Sequence, residues 1–289
     1  MRKIYDCFLF FNELELLEMR LNVMDPYVDY FVITEASVTH SGIPKPYNFE
    51  ANKEMFSKFL HKIIYIKNDD IPNDFVNLPQ IKNIDSFEGQ CVKKIHELIE
   101  TQTGLFDRRT QPYFGRDFFQ KESIRKGLEN CQDDDIIISS DLDEIPNPEI
   151  LKNIDSYLDK ANFFTFVQKT YYYYLNFLKE TNWKGSRLSL YKNVKDYSYN
   201  KLRAQQNYDL ENGGWHFSFM GGPERVKTKI TSYSHQDLNN PYVISSVENN
   251  IENAIDPFFR GSLTKVEIDN TYPEYLLNNL DRYSHMIKK

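Results

Sequence analysis

The sequence predicts an α/β fold with a mostly parallel central sheet and flanking helices. Two observations carry this. Short apolar, β-branched runs alternate with helix-period segments from the first residues, and that alternation implies parallel pairing through right-handed crossovers. One of these runs, Ile136-Ile137-Ile138, ends abruptly in Ser139-Ser140-Asp141-Leu142-Asp143-Glu144-Ile145-Pro146. Open α/β sheets place their ligands at the carboxyl ends of such strands.

In order along the chain, residues 4–11 read as a first buried strand. A helix then starts at Asn12-Glu13, with Leu14, Leu17, Leu21 and Met24 on one face. Residues 30–34 form a second strand ending at Glu35. Residues 53–61 read as helical and residues 63–66 as a third strand. Between 68 and 112 Asp, Asn and Pro are frequent, with a helix expected over 90–101. Residues 116–130 are a strongly amphipathic helix with Phe119, Ile124 and Leu128 inward. After the acidic strand end, strands are expected over 163–167 and 187–191. Helices are expected over 222–233, 243–253 and 274–287. No repeat, low-complexity tract or linker is visible. A single domain is expected, with a nucleotide-sugar half over about 1–145 and an acceptor-side half over about 146–289.

Composition narrows the function. The chain has 289 residues and a net charge of −7, which argues against nucleic acid as a main partner because phosphate binding needs a basic face. Cys7, Cys91 and Cys131 are odd in number and show no C-x-x-C, so buried fillers in a reducing compartment are expected. No stretch approaches a membrane span, and a charge stands where a signal peptide needs its apolar core. The expectation is a cytoplasmic protein with no integral membrane segment. The 20 Tyr and 21 Phe fill cores, and some can present platforms for sugar rings.

The acidic strand end carries the chemistry. In an extended segment, Asp141 and Asp143 point the same way. Two hard oxygen ligands with open positions beside them suit Mg²⁺ or Mn²⁺ carrying a diphosphate. Asn147-Pro148-Glu149 already supplies the cap of the next helix, leaving Asp141, Asp143 and Glu144 spare. With no Lys or Arg nearby in sequence, the three carboxylates repel one another unless a cation neutralises them. That is the chemistry expected of a sugar-nucleotide-dependent glycosyltransferase. A nucleotidyltransferase using the same Asp-x-Asp metal site, and a non-catalytic carbohydrate-binding protein, remain as alternatives.

Four blocks of the chain resemble glycosyltransferase family 17, the family of the β-1,4-mannosyl-glycoprotein N-acetylglucosaminyltransferases. They are Asn12-Glu13-Leu14-Glu15-Leu16-Leu17-Glu18-Met19-Arg20; the stretch from Val28-Asp29-Tyr30 through Thr34-Glu35 to Gly42-Ile43-Pro44-Lys45-Pro46; the stretch from Asp134 to Pro146; and Gly214-Trp215-His216-Phe217-Ser218 with Lys229 and Ser234-His235-Gln236-Asp237 after it. A tail, Pro273-Glu274-Tyr275-Leu276-Leu277-Asn278-Asn279, fits as well. The blocks run nearly end to end. The resemblance implies a Rossmann-like glycosyltransferase A fold, inversion at the anomeric carbon, a UDP-sugar donor and N-acetylglucosamine as the sugar moved. The acceptor would be a glycan or other glycoconjugate hydroxyl. The match is to a bacterial or viral type of member without a membrane anchor.

Roles follow from position. Phe10, Asn12 and Glu35 lie at the carboxyl edge of the early strands and should border the nucleotide pocket, although Glu35 serves equally well as a cap. Lys45, held stiffly between Pro44 and Pro46, could contact phosphate or be merely exposed. Arg116 opens the helix before the acidic strand and could reach the donor diphosphate. Asp141, Asp143 and His216 are the candidate metal ligands, and Asp141 also counts among the donor contacts. His216 follows Gly213-Gly214-Trp215, where backbone can approach a ligand closely. Glu144 and Asp237 are the candidates for the catalytic base. Trp183 and the run Tyr171–Tyr174 either stack on sugars or pack the core.

Overall fold

The computed structural model describes residues 2–102 and 104–289. In chain order its principal elements are β1 (Ile4–Leu9), α1 (Leu14–Met24), β2 (Tyr30–Ala36), β3 (Ile63–Asn68), α2 (Phe87–Thr101), α3 (Pro112–Glu122), β4 (Ile136–Asp141), β5 (Glu144–Pro146), β6 (Phe163–Tyr172), β7 (Phe177–Leu190), β8 (Tyr208–Ser218), α4 (Pro223–Ser232) and β9 (Thr264–Lys265). The chain forms two compact units whose segments interleave in sequence. The first comprises Met1–Glu13, Val28–Ser140 and Arg187–Gln206. The second comprises Leu14–Tyr27, Asp141–Ser186 and Asn207–Lys289.

In the first unit the strand order is β3-β2-β1-β4, followed by the end of β7. The β1–β2 and β2–β3 pairs are parallel, in the register Cys7↔Val32 and Ile33↔Tyr65. Cys7, Phe8, Phe31, Val32 and Ile33 are fully buried, as near-continuous apolar runs in parallel strands require. A second apolar cluster forms where Ile95, Leu98 and Ile99 of α2 meet Phe118 and Phe119 of α3 and Phe75. Helix α2 begins three residues earlier than the pattern suggests, because the Ser86 hydroxyl accepts the Gly89 amide at 3.0 Å and caps it. Helix α3 starts at Pro112 and gives way at Ser123 to a 3₁₀ turn, Ser123–Gly127. The Ser123 hydroxyl donates to the Phe119 carbonyl at 2.8 Å, a local bond that competes with the helical ladder. The expected helix over 116–130 is therefore shorter and shifted.

In the second unit β8 pairs in parallel with β6 and antiparallel with β5, and β7 pairs antiparallel with β9. The β4–β7 pair, within the first unit, is also antiparallel. The sheet is thus mixed, which corrects the expectation of a mostly parallel one. The cause lies in the connections. Only residues 173–176 link β6 to β7, and a parallel crossover needs roughly a dozen residues or more. Most of β7 was not legible: Lys179, Glu180, Thr181, Asn182 and Lys184 give it no apolar period. The expected helix over 274–287 contracts to Glu274–Leu277 and a 3₁₀ turn at Ser284–Met286. That over 243–253 is split into Pro241–Ser245 and Val247–Glu252. Val226 and Ile230 of α4 pack with Tyr172, Tyr173, Phe177, Phe219 and Val247 to form this unit's core. All three cysteines are buried and none forms a disulfide. Among the described residues, no helix is long and apolar enough to cross a membrane.

Candidate active site

The second unit carries the acidic turn. Strand β4 ends at Asp141, residues 142 and 143 turn, and β5 leaves antiparallel to β8 with Glu144 opposite His216 and Pro146 opposite Gly214. The segment is therefore not extended through Asp143, and the two-residue alternation expected of Asp141 and Asp143 does not hold. The Asp143 carbonyl accepts the Phe217 amide at 2.8 Å, which ties the turn to β8. The expected cap is present: the Asn147 side chain accepts the Glu149 amide at 3.1 Å, with Pro148 at the first helical position.

The close approach at Gly213-Gly214 is made by the protein's own strands. A Cβ on Gly214 would collide with the Ile145 carbonyl, and one on Gly213 with the Val167 amide. Gly214 also has φ +121°, which side chains other than hydrogen rarely adopt. The glycines let β5 and β6 close against β8 and so place His216 beside the turn.

Asp143 is buried, and its Oδ2 lies 2.6 Å from Lys229 Nζ and 3.6 Å from His216 Nε2. Lys229 also donates to the Ser218 hydroxyl at 3.2 Å. Burial alone would push the Asp143 carboxyl up; the Lys229 ammonium and then the His216 imidazole overcome it and hold the group well below the usual carboxylate range. Asp143 therefore stays ionised across the whole neutral range. The stability gained from this pairing is present above about pH 4, the ordinary Asp value, and is lost only as pH falls well below it.

His216 is oriented from two further sides. Its Nδ1 faces the Thr170 hydroxyl at 3.4 Å, and its ring stacks on Trp183 at 4.8 Å between centroids, 26° from parallel. Trp183 in turn donates from Nε1 to Glu144 Oε1 at 2.8 Å, while Glu144 Oε2 accepts the Asp141 amide at 3.2 Å. Glu144 is wholly buried. Its carboxylate thus links the turn backbone to the indole that carries His216. Trp183 is placed at the site by this contact, whereas Tyr171, Tyr172 and Tyr173 are buried in the core.

The turn is also held from beneath. Arg20 of α1 is fully buried, and its Nη1 donates to the carbonyls of Asp141, Leu142 and Glu144 at 2.9, 3.0 and 2.9 Å. The cations that the sequence neighbourhood lacks thus come from far away, Lys229 lying 86 positions from Asp143 and Arg20 lying 121 from Asp141. Sequence separation hid both pairings, although both residues fall in the blocks that resemble family 17.

A divalent cation fits part of this set. Asp143 Oδ2 and His216 Nε2 offer one hard oxygen and one imidazole nitrogen in convergence, donors acceptable to Mn²⁺. Among the described residues no three His, Cys, Asp or Glu side chains are grouped to hold a metal ion. The protein thus brings together Asp143 and His216 of the three expected ligands, while the half-buried Asp141 stands at the strand end. Asp237 sits on an exposed 3₁₀ turn, with Oδ1 3.7 Å from His235 Nδ1.

The remaining candidates belong to the first unit. Glu35 is wholly buried and accepts from Lys45 Nζ at 2.7 Å, Tyr65 Oη at 2.8 Å and the amides of Asn48 and Phe49 at 2.6 and 3.0 Å. It is the cap of the short helix Asn48–Asn52. Lys45 is bound to Glu35 and to the Pro46 carbonyl at 3.1 Å; burial lowers its pKa, against the pull of Glu35. Phe10 is buried edge-on to Phe49. Asn12 is half-buried beside Glu13, whose Oε2 accepts its amide at 3.1 Å. Arg116 donates to the His40 carbonyl at 3.0 Å and lies against Gly42; burial lowers its pKa.

The sequence is similar to three mammalian enzymes, each a beta-1,4-mannosyl-glycoprotein 4-beta-N-acetylglucosaminyltransferase. It is 23% identical to that of Homo sapiens over 96% of this chain and 53% of the relative. It is 22% identical to those of Rattus norvegicus and Mus musculus, each over 99% of this chain and 55% of the relative. The chain spans about half the length of the curated relatives it matches. The model of glycosyltransferase family 17 matches residues 1–74 and 76–256, and with Asp143, His216, Lys229 and Arg20 all inside that span, the chain belongs to glycosyltransferase family 17.

Proposed function

We propose that the chain is an inverting glycosyltransferase of the Rossmann-like glycosyltransferase A type. It would move N-acetylglucosamine from a UDP-sugar to a glycan hydroxyl with Mn²⁺ or Mg²⁺ as cofactor. The observation that carries this reading is the convergence of Asp143, His216 and Lys229 at a strand end in a family 17 chain. The names of the relatives support the choice of sugar.

In this reading Asp143 and His216 hold the cation, and Asp141 faces the donor from the strand end. A bound divalent cation would stabilise charge on the departing nucleoside diphosphate. Lys229 offers a second positive charge for the diphosphate, which a lysine ammonium can meet as a point charge. Trp183 and Glu144 keep the His216 ring in place. Glu144 has both carboxylate oxygens engaged by donors, so the base role passes to Asp237, whose side chain is 57% exposed. A base needs that freedom to come within hydrogen-bond reach of an acceptor hydroxyl.

Incubation of UDP-N-acetylglucosamine with Mn²⁺ and a mannosylated glycan should yield free UDP and an extended glycan. The Asp237→Ala variant should keep UDP binding and lose transfer. Release of pyrophosphate instead would identify a nucleotidyltransferase. Glycan binding without donor turnover would identify a binding protein.

Lys229 gives a test that needs no turnover. Lys229→Met leaves the buried Asp143 carboxylate without its ammonium, and breaking such a pair costs on the order of 2–3 kcal/mol at a partly exposed site. Mn²⁺ should then raise the melting temperature of Lys229→Met more than that of the wild type. An equal or smaller Mn²⁺ shift in the variant would remove Asp143 from the cation site.

A further inference from the structure

We propose that the second unit carries a separate binding site for a neutral oligosaccharide, on the face of β8 opposite His216. Successive residues of a strand face opposite sides of the sheet. His216 faces Asp143, and its neighbour Trp215 lines an open cavity of about 680 Å³. That volume is within the roughly 300–1,000 Å³ range of small-ligand sites. Its walls come from the end of α1, the helix start at Asn147-Pro148-Glu149, strands β6, β7 and β8, and the tail over 270–278. None of Asp141, Asp143, Glu144, His216 and Lys229 lines it.

The lining selects the ligand class. Carboxylates at Glu211 and Glu274 and amides at Asn270 and Asn278 are exposed on the walls. Such groups accept from and donate to hydroxyls. Tyr275 is half-buried and adds an aromatic surface with a polar tip, the combination that suits a sugar ring. Lys169 is the one cation in the lining, and its ammonium donates to the Thr271 hydroxyl at 3.2 Å. Carboxylates therefore outnumber cations, which disfavours a nucleotide or any other anion and favours an uncharged polyol. The cavity wall is also anchored: Trp215 is buried, and its Nε1 donates to the Thr271 carbonyl at 3.0 Å, pinning the tail to β8. A pre-formed wall lowers the ordering cost of binding.

The inference does not depend on the cation site or on the donor, so it is tested without either. Mannotriose and N-acetylchitotriose are titrated calorimetrically into the full chain in the absence of divalent cations and nucleotide. At least one should bind. Glu211→Ala/Asn270→Ala should weaken it by about tenfold or more, a loss of about 1.4 kcal/mol. Asn278→Ala, also at an exposed position, is an independent second variant and should weaken it in the same direction. Asp143→Asn should leave it unchanged. Failure of both sugars to bind would overturn the proposal. So would binding that ignores the cavity variants, or binding that is lost in Asp143→Asn, which would place the sugar at the acidic turn.

Discussion

Arg20→Met should be the most destabilising single substitution in the second unit. The methionine keeps the buried volume and removes every donor. The carbonyls of the half-buried Asp141 and the buried Leu142 then lose the Nη1 bonds at 2.9 and 3.0 Å, and that of Glu144 loses its Nη1 bond at 2.9 Å but still accepts from the Ser186 hydroxyl at 3.1 Å. A buried polar group left unpaired costs about 1–3 kcal/mol. Relaxation of the turn and entering water will recover part of the sum for the two, so a loss on the order of 2–4 kcal/mol is expected. The turn carries Asp143, so transfer should fall even in the protein that remains folded. Arg20→Lys keeps charge and three donors on a shorter reach and should recover part of the stability. Urea unfolding of the three proteins checks this. A loss under about 1 kcal/mol for Arg20→Met would mean that the carbonyls find other partners.

Asp143→Asn should have the largest effect on chemistry. The substitution keeps shape and removes the one ionised group on which Lys229 and His216 converge. If that carboxylate holds the cation, charge stabilisation worth several kcal/mol is lost from the transition state. At about 1.4 kcal/mol for each factor of ten, a loss of about 10³-fold or more in kcat is expected. The fold should survive, because the amide can still accept from Lys229. His216→Ala should act in the same direction and less strongly, since it leaves the Asp143 carboxylate in place.

The parts of this account that were legible in the sequence are those with a local signal. β1, β2, β3 and β4 are apolar runs with abrupt ends, and each appears within a few residues of its expected place. Asn147-Pro148-Glu149 is a local cap and forms as one. The acidic turn was visible because carboxylates cluster there with no local cation. Most of what surrounds it was not visible. His216 alone was expected beside Asp143, from its glycine-rich block; Arg20, Trp183 and Lys229 reach the turn from three further elements, and no spacing along the chain encodes those contacts. Glu35 shows the converse. Its place at a strand end suited either a ligand or a cap, and only the amides of Asn48 and Phe49 reveal the cap. The polar first part of β7 has a sheet's geometry without a sheet's alternation, so no period announced it. The mixed sheet follows from the four-residue link between β6 and β7, which sequence periodicity does not weigh.

The most direct test of the central claim is calorimetric titration of UDP into the wild type and Asp143→Asn, each with and without Mn²⁺. Cation and diphosphate that share one site must strengthen each other reciprocally. The wild type should bind UDP more tightly with Mn²⁺, by about tenfold or more, or 1.4 kcal/mol of coupling. GDP and CMP should bind weakly. In Asp143→Asn the Mn²⁺ effect should vanish. UDP binding that is indifferent both to Mn²⁺ and to Asp143→Asn would contradict the account.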